Sequence, residues 1–307
     1  MTSPTLRHRL EHLAYRASLG ALTLLPERWA LQVGEAVGWV AGTLFRVRRK
    51  VVEEHLAHAF PEKDDAWRSR VARASYRHLG REGVATFRWA RLSAEEIRER
   101  TEVEGLEVLE AAVREERGVV LVTGHFGNWE IGGATVAAYG VPMDVIARRQ
   151  RNPLFDRDIN RARERLKMRV IERGEARRRV LRSLRQGRAV AFVGDQDARH
   201  KGVFVEFLGR RASTARGAAF FALRTGCPLV AAFMCRKSGF PQRYRLSVRR
   251  IPLDPTNDQE ADVLRLTEAH TRHLEAQVRE HPEQYFWQHR RWKTRPPEDT
   301  AARKSGG

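Results

Sequence analysis

The chain reads as an α/β protein, a mainly parallel sheet sandwiched by helices, with a helical region at its N-terminus. Three observations predict this. From residue 119 onward, short apolar runs typical of buried strands alternate with longer helix-compatible stretches. Two of those runs, 119–123 and 189–193, end alike, in a glycine followed by ionisable residues: Gly124-His125 and Gly194-Asp195. Between 64 and 91 the apolar residues recur instead at helical three-to-four spacing. Strand and helix in alternation favour a parallel sheet covered on both faces.

Residues 1–45 hold two apolar stretches, 17–25 and 36–45, separated by Pro26, Glu27, Arg28 and Glu35. Each is about half the ~20 residues that span a bilayer, and the first lacks the small-residue cleavage site of a secretory signal. Trp29, Trp39 and the cations Arg46, Arg48, Arg49 and Lys50 favour amphipathic helices docked on an anionic membrane surface. A helical hairpin packed on the rest of the protein is the alternative. Residues 48–62 read as a helix ended by Pro61, and 64–91 as a second, carrying Trp67, Val71, Tyr76, Leu79, Val84 and Phe87. His55, His58 and His78 form no convincing ligand cluster, so no metal is expected.

Further strands are expected at 142–147, 168–171, 229–233 and 244–248. Helices are expected at 106–116, 128–139, 153–166, 175–186, 213–225 and 261–280. Residues 46–296 thus hold a helical layer plus the α/β body, and the small, polar stretch 297–307 is expected to be disordered. Cys227 and Cys235 read as reduced core thiols of a cytoplasmic protein.

The stretch 119–130 carries the chemistry. Its strand breaks at Gly124 and presents His125, Asn128 and Glu130 at the carboxyl end, where open α/β sheets bind ligands. His125 and Glu130, five residues apart, would diverge by about 140° within one helix. They meet only if His125 lies in the turn and Glu130 in the first helical turn. A carboxylate on one imidazole nitrogen frees the other to take a proton from an alcohol. With no Ser or Cys nucleophile in the stretch, the reading is a base acting on a bound hydroxyl.

His125-Phe126-Gly127-Asn128-Trp129-Glu130 resembles the His-x4-Asp/Glu motif of glycerolipid acyltransferases, in the form carried by the lipid A biosynthesis (lauroyl/myristoyl) acyltransferases. The resemblance runs from about residue 48 to 296. It includes the segment before Phe60-Pro61-Glu62, Asn152-Pro153-Leu154 after an arginine, an Asp195-x-Asp197 segment, the block 202–217, and the signature 282–293.

The resemblance implies an O-acyltransferase that moves a fatty acyl chain from acyl carrier protein or CoA to a hydroxyl of a lipid A precursor. It implies no cofactor beyond that thioester co-substrate, and a place on the cytoplasmic face of the bacterial inner membrane. The family usually carries a hydrophobic N-terminal anchor; this chain's counterpart is weak. Among catalytic residues His125 is the base. Its acid is open between Glu130, the first choice, and Asp195. Arg148 would grip a phosphate or support the thioester oxygen. Asn128, Asp197, Thr214 and Arg290 complete the substrate-binding set, with Ser213 or Thr214 expected to cap a helix whose free amides suit an anion.

The net charge of +19 favours anionic partners: phospholipid headgroups, phosphorylated glycolipids, an acidic carrier or nucleic acid. A nucleic-acid-binding protein would account for the charge but leaves His125 and Glu130 without a role, and no nucleic-acid motif is present. Related acceptors for the same chemistry are phosphatidylinositol mannosides, aminolipids and lysophospholipids.

Overall fold

The computed structural model describes residues 4–147, 149–165 and 167–296. The helical region comprises α1 (Leu6–Leu24), α2 (Glu27–Trp39), continued by a wide turn over Val40–Leu44, α3 (Arg49–Ala59), α4 (Asp65–Trp89) and α5 (Ala94–Glu99). The body follows as β1 (Thr101–Glu104), α6 (Leu106–Arg114), β2 (Val119–Thr123), α7 (Trp129–Ala138), β3 (Met143–Ala147), α8 (Pro153–Arg165), β4 (Met168–Glu172), α9 (Ala176–Arg185) and β5 (Ala189–Val193). It closes with β6 (Val203–Phe207), β7 (Arg210–Thr214), α10 (Gly217–Thr225), β8 (Leu229–Arg236), β9 (Tyr244–Ile251) and α11 (Gln259–Glu280).

Seven strands form one sheet in the order β1-β9-β8-β2-β5-β3-β4. Every pairing is parallel except β8 with β9, so the expected mainly parallel sheet is present. The strands sort their side chains by alternation. Val120, Val122, Val190 and Phe192 face a core completed by α3, α9, α10 and α11. Val119, Leu121, Ala189 and Ile131 face a second core on the α5–α7 side. Burying each Val or Leu contributes about 1.5–3 kcal/mol, so β2, with Val119 to Val122 all buried, is firmly held at the sheet's centre.

Several elements differ from expectation, among them the unexpected short helix α5. Residues 101–104 form a strand, too short to announce itself against the helix that follows. The helix expected from 213 begins at Gly217, because 203–214 folds back as the antiparallel hairpin β6–β7. Hence Ser213 and Thr214 lie in a strand and cap no helix; Thr214 is buried and contacts the Arg291 guanidinium.

Helix α4 crosses above the carboxyl ends of the strands. Its first half joins one core through Val71, Ala72 and Tyr76, and its second half the other through Val84, Ala85 and Trp89. Helix α2 packs on it through glycine. A Cβ at Gly80 would lie 2.1 Å from the Gly34 carbonyl oxygen, and one at Gly38 would lie 2.0 Å from that of Tyr76. Neither backbone leaves room for a side chain. The opposite stripe of α2 exposes Trp29, Val33 and Val37, and α1, which has no buried residue, exposes Leu6, Leu10 and Leu13. No described helix is long and apolar enough to cross a membrane.

Candidate active site

Strands β2 and β5 lie side by side, with Thr123 opposite Val193 and the Gly194 N–H donating to the Thr123 carbonyl at 3.0 Å. Their next residues therefore emerge together. The Nδ1 of His125 is 2.7 Å from Asp195 Oδ1. The other ring nitrogen, Nε2, lies 3.2 Å from the Gln196 side-chain nitrogen. Gly124 allows this approach: a Cβ there would come within 3.3 Å of the Asp195 carboxyl carbon.

The turn that carries His125 is fastened on several sides. Gly127 has φ +53°, and a Cβ would fall 1.6 Å from the Met234 carbonyl oxygen, so only glycine fits. The Gly127 N–H donates to the Gln284 carbonyl at 2.8 Å, and the Phe286 N–H donates to the His125 carbonyl at 3.0 Å. Trp287, fully buried with its indole donating to the Pro282 carbonyl at 2.6 Å, anchors that C-terminal strip. Asn128 begins α7: its Oδ1 accepts from the Ile131 N–H at 3.0 Å, and its Nδ2 donates to Glu82 Oε2 at 2.9 Å. Glu82, buried in α4, also accepts from the Tyr244 hydroxyl at 2.6 Å and lies 3.5 Å from the Arg236 guanidinium.

Burial sets the electrostatics. It pushes the His125 ring toward its neutral form, but the Asp195 charge and hydrogen bond outweigh it, and the ring's pKa stands above the ordinary 6.5. Asp195 is pushed upward by burial and pulled further down by His125, so it stays ionised. Burial raises the Glu82 carboxyl despite its donors, and lowers His78, beneath the turn, to about 3. His78 is thus neutral and donates from Nε2 to the Gly127 carbonyl, 3.3 Å away.

Beside the ring opens a cavity of about 170 Å³ between α4 and the turn, walled mainly by apolar surface from Leu79, Gly83, Trp129 and Phe286. Glu130 also borders it.

The structure joins His125 to Asp195 and withholds Glu130. Glu130 occupies the first turn of α7, as required for contact with the ring, yet its carboxylate takes both arms of Arg163, with Nε at 3.0 Å from Oε2. The first-choice pairing is therefore corrected: α8 supplies a guanidinium that satisfies Glu130, and the strand register delivers Asp195. Asn128 is buried as a helix cap. Both Asp197 oxygens accept from Thr294, at 3.3 and 3.0 Å, and its N–H donates to His289. Arg290 is exposed. Arg148 and residues 297–307 lie outside the described residues.

Sequence reasoning missed Gln196, Glu82, Arg163 and Arg291. Glu82 had a signal, a carboxylate continuing the apolar stripe Tyr76, Leu79. Gln196 had only its place between two aspartates.

Fold and edge together define an α/β protein that sets a histidine–aspartate pair at the carboxyl end of a parallel sheet, beside an apolar cavity. The sequence pattern of the bacterial lipid A biosynthesis acyltransferases matches residues 2–294, and the chain belongs to that family. It is 30% identical over 284 residues to the lipid A biosynthesis palmitoleoyltransferase of Escherichia coli (strain K12), covering 91% of this chain and 90% of the relative. The lauroyltransferase of the same organism is 29% identical over 279 residues (89% and 88% covered), and the myristoyltransferase 25% identical over 292 residues (92% and 86%). The protein is an acyltransferase.

Proposed function

We propose that the protein moves a fatty acyl chain from an acyl thioester to a hydroxyl of a lipid A precursor, with His125 as general base. The observation that carries this is the His125–Asp195 pair beside the apolar cavity. Asp195 accepts the proton on Nδ1 and so leaves Nε2 as the basic nitrogen. Nε2 takes the proton of the acceptor hydroxyl, and the oxygen attacks the thioester carbonyl. The tetrahedral intermediate collapses, the sulfur leaves, and the same proton passes to it from Nε2. The cavity suits the chain next to the carbonyl, since burying each CH2 contributes about 0.8 kcal/mol.

The donor is acyl carrier protein or CoA, both anionic and matched to a charge of +19. Exposed Leu6, Leu10, Leu13, Trp29 and Val37 supply a surface that docks on the cytoplasmic face of the bacterial inner membrane, bringing the acceptor to the edge of the sheet. Arg148 and Arg290 bind substrate phosphates. Mass spectrometry of membrane lipids from cells carrying wild-type protein or His125→Ala tests the reading: the variant is expected to lack one acyl chain. Unchanged acylation removes the proposed base.

A further inference from the structure

The free nitrogen of the proposed base is already occupied. Gln196 stands between two fixed residues: Asp195 bound to the ring, and Asp197 bound through Thr294 and His289. Its backbone is clamped on both sides, which sets where its side chain reaches. Because Asp195 takes the Nδ1 proton, Nε2 presents a lone pair, and the group that satisfies a lone pair is the amide NH2 at 3.2 Å.

An acceptor hydroxyl must come within about 2.6–3.2 Å of the same nitrogen to give up its proton. Amide and hydroxyl therefore compete for one lone pair. A hydroxyl oxygen seated there attacks a carbonyl carbon at bonding distance, so the carbonyl oxygen lies within reach of the displaced amide. Among the described residues the nearby guanidiniums are committed: Arg163 to Glu130, and Arg291 to the Ser213 carbonyl and Thr214 hydroxyl. A neutral donor also avoids repelling the imidazolium formed in the step.

Building on the acyltransferase reading, we infer that Gln196 is a catalytic residue: its amide caps Nε2 in the resting enzyme and, once displaced by the acceptor, holds the negative charge that develops on the thioester carbonyl oxygen. As the new C–O bond forms, the hydroxyl proton moves to Nε2 and the carbonyl π pair moves to the oxygen facing Gln196. Collapse breaks the C–S bond, the Nε2 proton goes to sulfur, and the amide returns to the ring.

The test uses full-length Gln196→Ala and the near-isosteric Gln196→Glu, with acyl-CoA and acyl carrier protein as donors and a lipid A precursor as acceptor. Loss of an oxyanion donor lowers kcat by about 10²–10³-fold, with each KM within about threefold of wild type. Loss of a donor to Nε2 destabilises the neutral ring, so the His125 pKa followed by imidazole NMR rises in both variants. The rise is larger with the introduced carboxylate, which accepts from the imidazolium. An unchanged kcat, a loss confined to KM, or an unmoved His125 titration overturns the assignment. Wild-type protein that transfers from neither donor overturns the transferase reading and the oxyanion step with it, while the NMR titration separately decides whether Gln196 caps the ring.

Discussion

The turns after β2 and β5 begin alike, an apolar strand followed by glycine and an ionisable residue, yet they are fixed in different ways. The β2 turn enters a helix and is bolted through buried groups: Asn128 to Glu82, Gly127 to His78 and Gln284. The β5 turn enters a loop whose acids are tied through their side chains, Asp195 by His125 and Asp197 by Thr294, beside backbone bonds from Gly194 to Thr123 and from Ala198 to Ser213. The ring of His125 takes part in holding the second turn but is not among the bonds that hold the first. The acid nearest in sequence borders the same cavity but is held by Arg163, and the acid 70 residues distant meets the ring, because strand register decides which groups share an edge.

Exchanging the two acids' amides tests this contrast most severely. Asp195→Asn is expected to lower kcat on the order of 10³–10⁴-fold, since an amide misplaces the ring's proton. Glu130→Gln should cost less than about tenfold, the scale of removing one remote charge worth up to one pKa unit. Steady-state kinetics of both variants checks it, and a larger loss in Glu130→Gln restores that residue as the partner.

The pH profile sharpens the same point. The base form of His125 is lost as pH falls through its raised pKa, so the ascending limb of kcat/KM lies above 6.5. In Asp195→Asn burial is opposed only by the smaller influence of Glu130, and the limb moves down. For stability the signs are opposite within the pair. The raised His125 contributes below its unfolded value and loses that contribution as pH rises through its folded pKa. The depressed Asp195 contributes above its unfolded value and loses that contribution as pH falls through its folded pKa. The pair therefore stabilises most between the two.

Bolts of the β2 turn come next in size. Trp287→Ala should destabilise the protein by about 3–5 kcal/mol in denaturant unfolding, the cost of emptying a fully buried aromatic site. Asn128→Ala should cost about 1–2 kcal/mol for the lost helix cap. Smallest is Thr294→Val, in the C-terminal segment that holds the β5 turn, about 0.5–1.5 kcal/mol for one hydrogen bond to Asp197. An equal cost for Asn128 and Thr294 would erase the distinction between the turns.

The sheet, its mainly parallel order and the place of His125 were legible because they are local: apolar runs, glycine breaks and helix spacing each lie within a dozen residues. Glu130 was misjudged because spacing decides only whether two side chains are able to meet, and Arg163, 33 residues on, competes for the carboxylate. The hairpin β6–β7 was missed because Ala212, Ser213 and Thr214 read as a helix start, whereas the pairing of Thr214 with Val203 is set by the fold. Glu82 showed in the sequence only as a carboxylate on an apolar stripe, and its partners Tyr244 and Asn128 are brought to it by the fold.

The glycine seam between α2 and α4 has a mechanical consequence. Side chains usually cushion two helices, but here backbone rests on backbone at Gly34, Gly38 and Gly80. Residues on the next turns of α4, Leu79 and Gly83, border the cavity, while the far side of α2 carries Trp29 and Val37 outward. The exposed stripe of α2 and the cavity wall on α4 thus belong to one closely spaced helix pair, and any side chain larger than hydrogen introduced at the seam must force the two helices apart.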